Sequence, residues 1–498
     1  MINSMLRSVA LTLLLSAGLW TVAVGAAQTK VVSFASPAGV ELSGDYEVRV
    51  NGQSLAVYTA PTWQPDYAAP FGGPYSFASF DFAGRAEVCV TTRKPLEHLT
   101  ILPQAKGIKP RVDGATATFS LERPCQLSIE PEGKRGPLLL FANPLESNPP
   151  PPGDPRVKYF GPGLHKPGAI ELRSGETLYL AGGAVVKGGV HATGTNITIR
   201  GRGILDGLDW ARFKGPNETL IDLDRCSNVT VEGIILKDSW SWTFNLRGCR
   251  EVRVRNLKIC SARCENNDGI DICNSQKVLI EDTFIRSDDD CIAPKGFGYA
   301  NNQAVDDLQV RRCVLWTDRA NVWRIGCECR AEAMRNLIFQ DIDVIHFSSA
   351  YGSAYPAAIT LQPAEDMLLE KVRFEDVRLH ADEQPRDERK RSKFLIEVRP
   401  QFTQWAKTKT PGRIRNCVFK NISVQGDEAF KWGRIQVSGP DPQHSVKDVT
   451  FENVVRFGQP VTKDSPEVEV SGSAKGIEFR LTPQGAPRNS QALKLPHG

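Results

Sequence analysis

NNDGIDICNSQKVLIEDTFIRSDDDCIAPKG, residues 266–296, is the stretch whose reading decides the fold. It holds two acidic clusters, Asp268/Asp271 and Asp288/Asp289/Asp290, separated by an aliphatic strand pattern. Asp268 and Asp290 lie 22 residues apart, about one coil of a β-solenoid. Each is followed two places later by isoleucine, Ile270 and Ile292, so the two segments should stack as adjacent rungs, roughly 4.8 Å apart. Strict alternation would aim Asp268 into the core with Ile270, where an unpaired carboxylate is very unfavourable, so a turn is expected at Asp268-Gly269. The same break is expected at Asp290, with Asp289, of opposite parity, projecting elsewhere. Carboxylates held this close can divide acid and base roles.

Outward from this stretch the pattern repeats. Aliphatic-x-aliphatic units begin at Ile197, Val229, Val252, Val278, Leu308, Leu337, Val372, Cys417 and Val449, at spacings of 23 to 45 residues. Period-2 alternation within a unit means a strand with one buried face, and no single coil can bury that face alone. A second apolar strand accompanies the units, at Ile221, Phe244, Ile270, Ile292, Ile325, Ile359, Ile396 and Ile435. These observations predict an all-β chain built on a parallel β-helix over 157–460. Asn196, Asn228 and Asn421, each in an Asn-x-Thr/Ser triplet, are read as stacking positions at the start of the repeated strand.

Before the repeat, short apolar strands alternate with turn residues over 27–147. Asn51-Gly52 between two alternating runs favours a type I′ hairpin, and a β-sandwich is expected to precede the helix. Six prolines in residues 144–155 favour polyproline II, and a stiff linker is placed at 148–156. Residues 461–498 read as a C-terminal strand and tail. Arg7, an apolar run over 9–25 and Ala26-Ala27 have the order of a signal peptide, with 1–26 removed on export. The expected location is secreted or periplasmic.

The net charge of +4 on 498 residues gives no reason to invoke nucleic acid or an anionic membrane. The 12 cysteines are sparse before residue 200, and several sit inside strand patterns as small apolar residues. Cys327-Glu328-Cys329 and Cys260-x3-Cys264 lack matching histidines, so no metal and no cofactor is expected. A monomer is expected.

The motifs carry a resemblance. Asn266-Asn267-Asp268-Gly269-Ile270-Asp271, then Asp289-Asp290-Cys291, then Ile325-Gly326-Cys327-Glu328, resemble the motif series of glycoside hydrolase family 28, the polygalacturonases. The order of sandwich, Pro-rich link, Tyr159-Phe160-Gly161-Pro162-Gly163 and Gly201-Arg202-Gly203 also resembles family 49, the dextranases and isopullulanases. The resemblance implies a right-handed parallel β-helix and an inverting hydrolase of O-glycosidic bonds in a polysaccharide or oligosaccharide. It implies Asp289 as general acid, with Asp268 and Asp290 holding and deprotonating the attacking water; inversion calls for carboxyl groups about 6.5–9.5 Å apart. Asn266, Asp271, Asn321, Arg324, Lys295, Arg399, Trp242 and Trp323 are the candidate substrate-binding residues, the tryptophans as platforms for pyranose faces.

Two departures bear on the substrate. Asn321, in Ala320-Asn321-Val322, stands where polygalacturonases have Gly-His-Gly, and Thr360-Leu361-Gln362 stands in place of Arg-Ile-Lys. A uronate bound there would lose charge-assisted hydrogen bonds, so a typical polygalacturonase is not expected; the substrate is expected to be a neutral sugar, or a uronate recognised by other residues such as Arg324 or Arg399. Two other readings stay open: a polysaccharide lyase on the same scaffold, its aspartates binding calcium, and a non-catalytic solenoid that only binds glycan.

Overall fold

The repeated aliphatic positions form one continuous ladder. Ile197 pairs in parallel with Val229, Val229 with Val252, Val252 with Val278, Val278 with Leu308, Leu308 with Leu337 and Leu337 with Val372. Cys417 pairs likewise with Val449. The computed structural model describes residues 29–63, 73–347, 357–381, 393–430 and 432–482. The expected leader, residues 64–72, 348–356 and 382–392, residue 431 and the expected tail beyond 482 lie outside them. Among the described residues the only helical turns are Gln104–Lys106, Tyr299–Asn302 and Glu428–Phe430.

Three parallel ladders build each coil. The side ladder is the one just traced. The front ladder runs through Phe244–Arg247, Ile270–Cys273, Ile292–Phe297, Trp323–Gly326, Ala357–Gln362 and Lys393–Val398. The rear ladder runs through Ile235–Lys237, Lys258–Ser261, Phe284–Ser287 and Val314–Thr317. Ile270 pairs with Ile292 as the 22-residue spacing predicts. Ile292 then pairs with Trp323 and not with Ile325, which pairs with Leu361. Trp323 and Ile325 share parity, so alternation alone cannot tell which of them fills the slot above Ile292.

Trp323 is fully buried, edge-on to Phe339 and Phe374. Its expected role as a sugar platform is therefore corrected: the ring is core, because its rung position faces inward. Phe339, Phe374, Phe419, Phe451 and Phe479 continue this interior as a column of near-parallel rings, with centroids 4.5–5.5 Å apart. Phe419 has a ring on both sides, so Phe419→Leu should cost about 1–2 kcal/mol, seen as a lower urea midpoint at unchanged m.

Tight corners hold the ladders together. Between the side and rear ladders, Asn256, Asp282, Arg312, Asp341, Asp376, Asn421 and Asn453 take φ of 50–57°, a left-handed conformation that Asn and Asp tolerate best. Asn453 donates to Asn421 (3.2 Å) and Asn421 to Asp376 (2.8 Å). Asn421 thus stacks as expected, but at this corner; Asn196 and Asn228, joined at 2.6 Å, stack at the other one.

Residues 30–144 form a six-stranded and a five-stranded sheet that share one apolar core. Asn51 and Gly52 turn the expected hairpin with φ of 47° and 79°. One pairing departs from the antiparallel expectation: Leu138–Pro144 runs parallel to Tyr75–Ala83. The outer face of the six-stranded sheet, with Tyr58, Phe77 and Phe141, packs on Val185, Ile204, Ile235, Phe284 and Trp316 of the rear ladder. Arg202 forks onto Asp81 at 2.8 Å, and His346 meets Glu130 at 2.7 Å across the same seam. Covering the rear ladder leaves the front face of the coils as the surface where polar side chains collect.

Candidate active site

The site sits where the rear ladder turns into the front ladder, in three successive coils. Lys258–Ser261 leads to Asp268, Phe284–Ser287 leads to Asp288, Asp289 and Asp290, and Val314–Thr317 leads to Asp318, Arg319 and Asn321. Gly269 makes the first turn possible: a Cβ there would lie 2.4 Å from the Cys291 carbonyl oxygen. Asn267 fixes the same turn from within. Its side chain donates to the Ser239 and Ser241 carbonyls and accepts the Arg263 and Cys264 amides, while its own carbonyl receives the Asp288 and Asp289 amides.

One oxygen from each of Asp268, Asp289 and Asp290 lies within 4.8 Å of the others. The exposures are 2%, 7% and 3%, which makes Asp289 the most accessible of the three. These nearest-oxygen separations are shorter than the spacing of about 6.5–9.5 Å expected for inverting carboxyl pairs: Asp289 and Asp290 are consecutive in one coil, and Asp268 comes from the coil paired with it. Lys295, from the next rung of the front ladder, contacts Asp268 at 2.8 Å and Asp271 at 2.7 Å, with its ammonium 4.0 Å from the centre of the Trp242 ring. Arg319 forks onto Asp288 (2.8 and 2.9 Å), reaches Asp289 at 3.1 Å and lies over Trp63 of the N-terminal sheets. The Asn321 amide donates to Asp290 at 3.0 Å, and the Asp290 amide to Asp289 at 3.0 Å.

Burial, with the charge of Asp289 beside it, pushes the Asp290 carboxyl up to about 7. Asp271 is pushed up to about 6 by burial, opposed by Lys295. Burial also raises Asp288, against the pull of Arg319. For Lys295 burial works against the charge, but Asp268 and Asp271 outweigh it, and the ammonium is held well above its ordinary value. The three aspartate oxygens have the spacing of a cation site, yet Lys295 and Arg319 already bring two positive charges to them.

The other candidates fall into two groups. Arg324 and Trp242 stay at the front: Arg324 donates to Gln362 at 3.3 Å, and Trp242 is half-buried against Phe297. Lys295, Asp271 and Asn321 are buried and hold other protein groups; the Asn321 side chain ties Ala357 O (2.6 Å) and Thr360 (2.8 Å). For these three the expectation of direct substrate contact is corrected to one of positioning, since their polar atoms face the aspartates or the next coil. Asn266 takes φ of 62° at the turn and accepts from Arg212. Arg399 is exposed, 4.0 Å from Glu397. Sequence reasoning missed Arg319 and Asn267. Arg319 had a signal, since Thr317-Asp318 repeats Ser287-Asp288 one coil on.

The twelve cysteines are all free thiols, ten of them buried, and among the described residues no helix is long and apolar enough to cross a membrane.

Fold and site together define a parallel β-helix protein with a carboxylate cluster on its front edge. Residues 185–314, which contain both aspartate motifs, match the sequence model of the Glycosyl hydrolases family 28. The chain is 29% identical over 170 residues to a probable polygalacturonase of Vitis vinifera, covering 32% of this chain and 34% of that relative. It is 26% identical over 117 residues to exopolygalacturonase A of Aspergillus niger, covering 20% and 27%. The matches thus span about a third or less of these relatives. Among solved structures, Dex49A from Penicillium minioluteum superposes with a TM-score of 0.61 at 14% identity, over 90% of this chain and 96% of that one. The resemblance to family 28 read from the motifs is borne out by the sequence-model match, and the likeness to Dex49A shows a shared fold.

Proposed function

We propose that the protein is a glycoside hydrolase that cleaves a polysaccharide or oligosaccharide by inverting, aspartate-based acid/base catalysis. The observation that supports aspartate-based hydrolysis most is the convergence of Asp268, Asp289 and Asp290 within 4.8 Å inside the segment matching family 28; inversion itself is carried by the resemblance alone, since these oxygens lie closer than the spacing of about 6.5–9.5 Å usual for it. By the resemblance, Asp289 protonates the leaving oxygen while Asp268 and Asp290 hold and deprotonate water. The basic pair of polygalacturonases is replaced by Thr360 and Gln362, so the substrate is not that of a typical polygalacturonase. We further read the helix as right-handed, as parallel crossovers are. The two N-terminal sheets are read as a β-sandwich joined through 148–156, and the protein as exported to the cell exterior or periplasm with its leader removed. The test is release of reducing ends across a panel of plant, algal and microbial glycans, with anomeric NMR of the first product. An inverted first product supports the reading; a retained anomer overturns the mechanism, and unsaturated products absorbing in the ultraviolet assign a lyase.

A second assignment of roles rests on Asp290. A carboxyl titrating at about 7 holds a proton at neutral pH and suits a general acid. The two assignments predict opposite limbs. If Asp290 is a base, kcat/KM rises with pH through about 7, as the carboxyl ionises; if it is the acid, kcat/KM falls through the same value. A pH profile of the free enzyme's kcat/KM decides between them.

A further inference from the structure

Between the N-terminal sheets and the coils lies a cleft of about 1710 Å³, and none of the three site aspartates lines it. Its floor is the corner between the side and rear ladders. Glu232, Asn256, Asp282, Arg312 and Asp341 come there from five successive coils, four steps or about 19 Å along the axis. Its wall is made by residues 105–109, by Arg111–Asp113 and Thr116–Leu121, and by Arg123 at the turn that follows. Contacts between sheets and coils set the width: the Gln126 side chain donates to the Asp282 carbonyl at 2.5 Å, and Arg202 to the Pro144 carbonyl at 3.0 Å. The mechanism proposed above makes no use of this cleft.

Floor and wall differ in charge. Each floor carboxylate has its cation: Glu232 has Arg255 at 2.8 Å, Asp282 has Arg312 at 2.7 Å and Asp341 has Arg378 at 2.7 Å. On the wall Lys106, Lys109, Arg111 and Arg123 are exposed and, among the described residues, have no ion pair. Against these four stand the unpaired carboxylates of Glu87 and Asp113, since Glu122 is held by Arg85 at 3.5 Å. The wall keeps a surplus of positive charge, and a cleft focuses such a field on an anion. Recognition has to do without ring stacking, because the one aromatic residue of the lining, Phe119, is 4% exposed. That removes the platforms on which neutral sugars lie and those that single-stranded nucleic acids need. An extended peptide rises about 3.3 Å per residue, out of step with rungs about 4.8 Å apart, whereas the pyranose units of an extended glycan repeat close to the rung spacing. Acidic and basic groups alternate along the floor and offer acceptors and donors in turn, which sugar hydroxyls satisfy; carboxylates or sulfates of the same chain would meet the wall. We propose that the cleft is a glycan-binding site apart from the aspartate cluster, taking about four units of an acidic chain. The site stands whether or not the protein cleaves the glycan it holds there.

The experiment is biolayer interferometry of the full-length Asp289→Asn protein, chosen so that turnover does not consume the polymer. The immobilised probes are polygalacturonate, alginate and chondroitin sulfate, with dextran and mannan as neutral chains and single-stranded DNA as a polyanion of another class. At least one acidic glycan should bind more tightly than the neutral chains and the DNA, and high salt should weaken it. Lys109→Glu/Arg123→Glu should lower that affinity about 10-fold, since two attractions become repulsions. Lys447→Glu/Lys475→Glu makes the same change of net charge on exposed residues of the last coils and should leave it unaltered. Lys109→Gln/Arg123→Gln, which only removes the charges, gives the same reading in smaller measure should the reversed pair not fold. No binding to any acidic glycan, DNA bound as tightly, or an equal loss in the two charge-reversed variants would each overturn the site. Acidic-glycan binding indifferent to Lys109 and Arg123 would overturn it too. Binding that depends on those two residues, in a protein that releases no reducing ends from any glycan, would keep the site and remove the hydrolase.

Discussion

Asp289→Asn is expected to lower kcat on the natural glycan by about 10²- to 10⁴-fold, the contribution typical of a positioned acid or base, while leaving thermal unfolding nearly unchanged. The side chain is the most accessible of the three aspartates, and the Arg319–Asp288 fork that anchors the turn does not depend on it. A leaving group that needs no proton separates the roles. With Asp289 as the acid, a glycosyl fluoride of the same sugar should recover most of the lost rate; with Asp289 on the water side, both substrates should lose rate alike. The variant also removes the charge that, after burial, most raises Asp290. The limb near pH 7 should therefore move to lower pH. A variant with unimpaired turnover would exclude Asp289 from the chemistry.

Much of this was legible in the sequence because a solenoid repeats its physics. Every aliphatic of the side ladder from Ile197 to Val372 is paired with its neighbour in the series, since period-2 burial and a coil-length spacing leave one register that keeps the apolar face inside. The aspartates were legible for the same reason: their fixed offset from Ile270 and Ile292 carries them to one corner. Alternation is silent on which of Trp323 and Ile325 lies above Ile292, but their equal parity puts both inside, so the platform reading of the tryptophan went against the pattern. Contacts between coils and the N-terminal sheets were not legible either. The pairs Asp81–Arg202 and Glu130–His346 join residues more than a hundred positions apart with no periodicity to announce them. The cations of the site fall between these cases. Lys295 repeats the position of Cys273 one rung on, but only three dimensions show it reaching back to Asp268.

Arg319→Met should produce the largest loss of stability, about 3–5 kcal/mol at neutral pH, because it leaves a buried carboxylate without its cation. Asp288 and Arg319 are both fully buried, so water cannot take over. The loss should depend on pH in a definite sense. Burial already raises Asp288 in the folded protein, and Arg319 is the main interaction that opposes it. A carboxyl whose folded value lies above its unfolded value of about 3.9 contributes fully below that value and loses the contribution as pH rises through the folded one. The variant should thus lie nearest the parent protein near pH 4 and fall furthest below it at pH 8, measured as Tm across that range. The double variant Arg319→Met/Asp288→Leu removes both charges and should recover more than half of the loss, as replacement of buried ion pairs by apolar side chains does. Activity should not return with it, because Asp289 would still lack the guanidinium that holds it at 3.1 Å. Recovery of both together would mean that Arg319 only holds the turn; a single variant as stable as the parent would mean that the fork does not hold it at all.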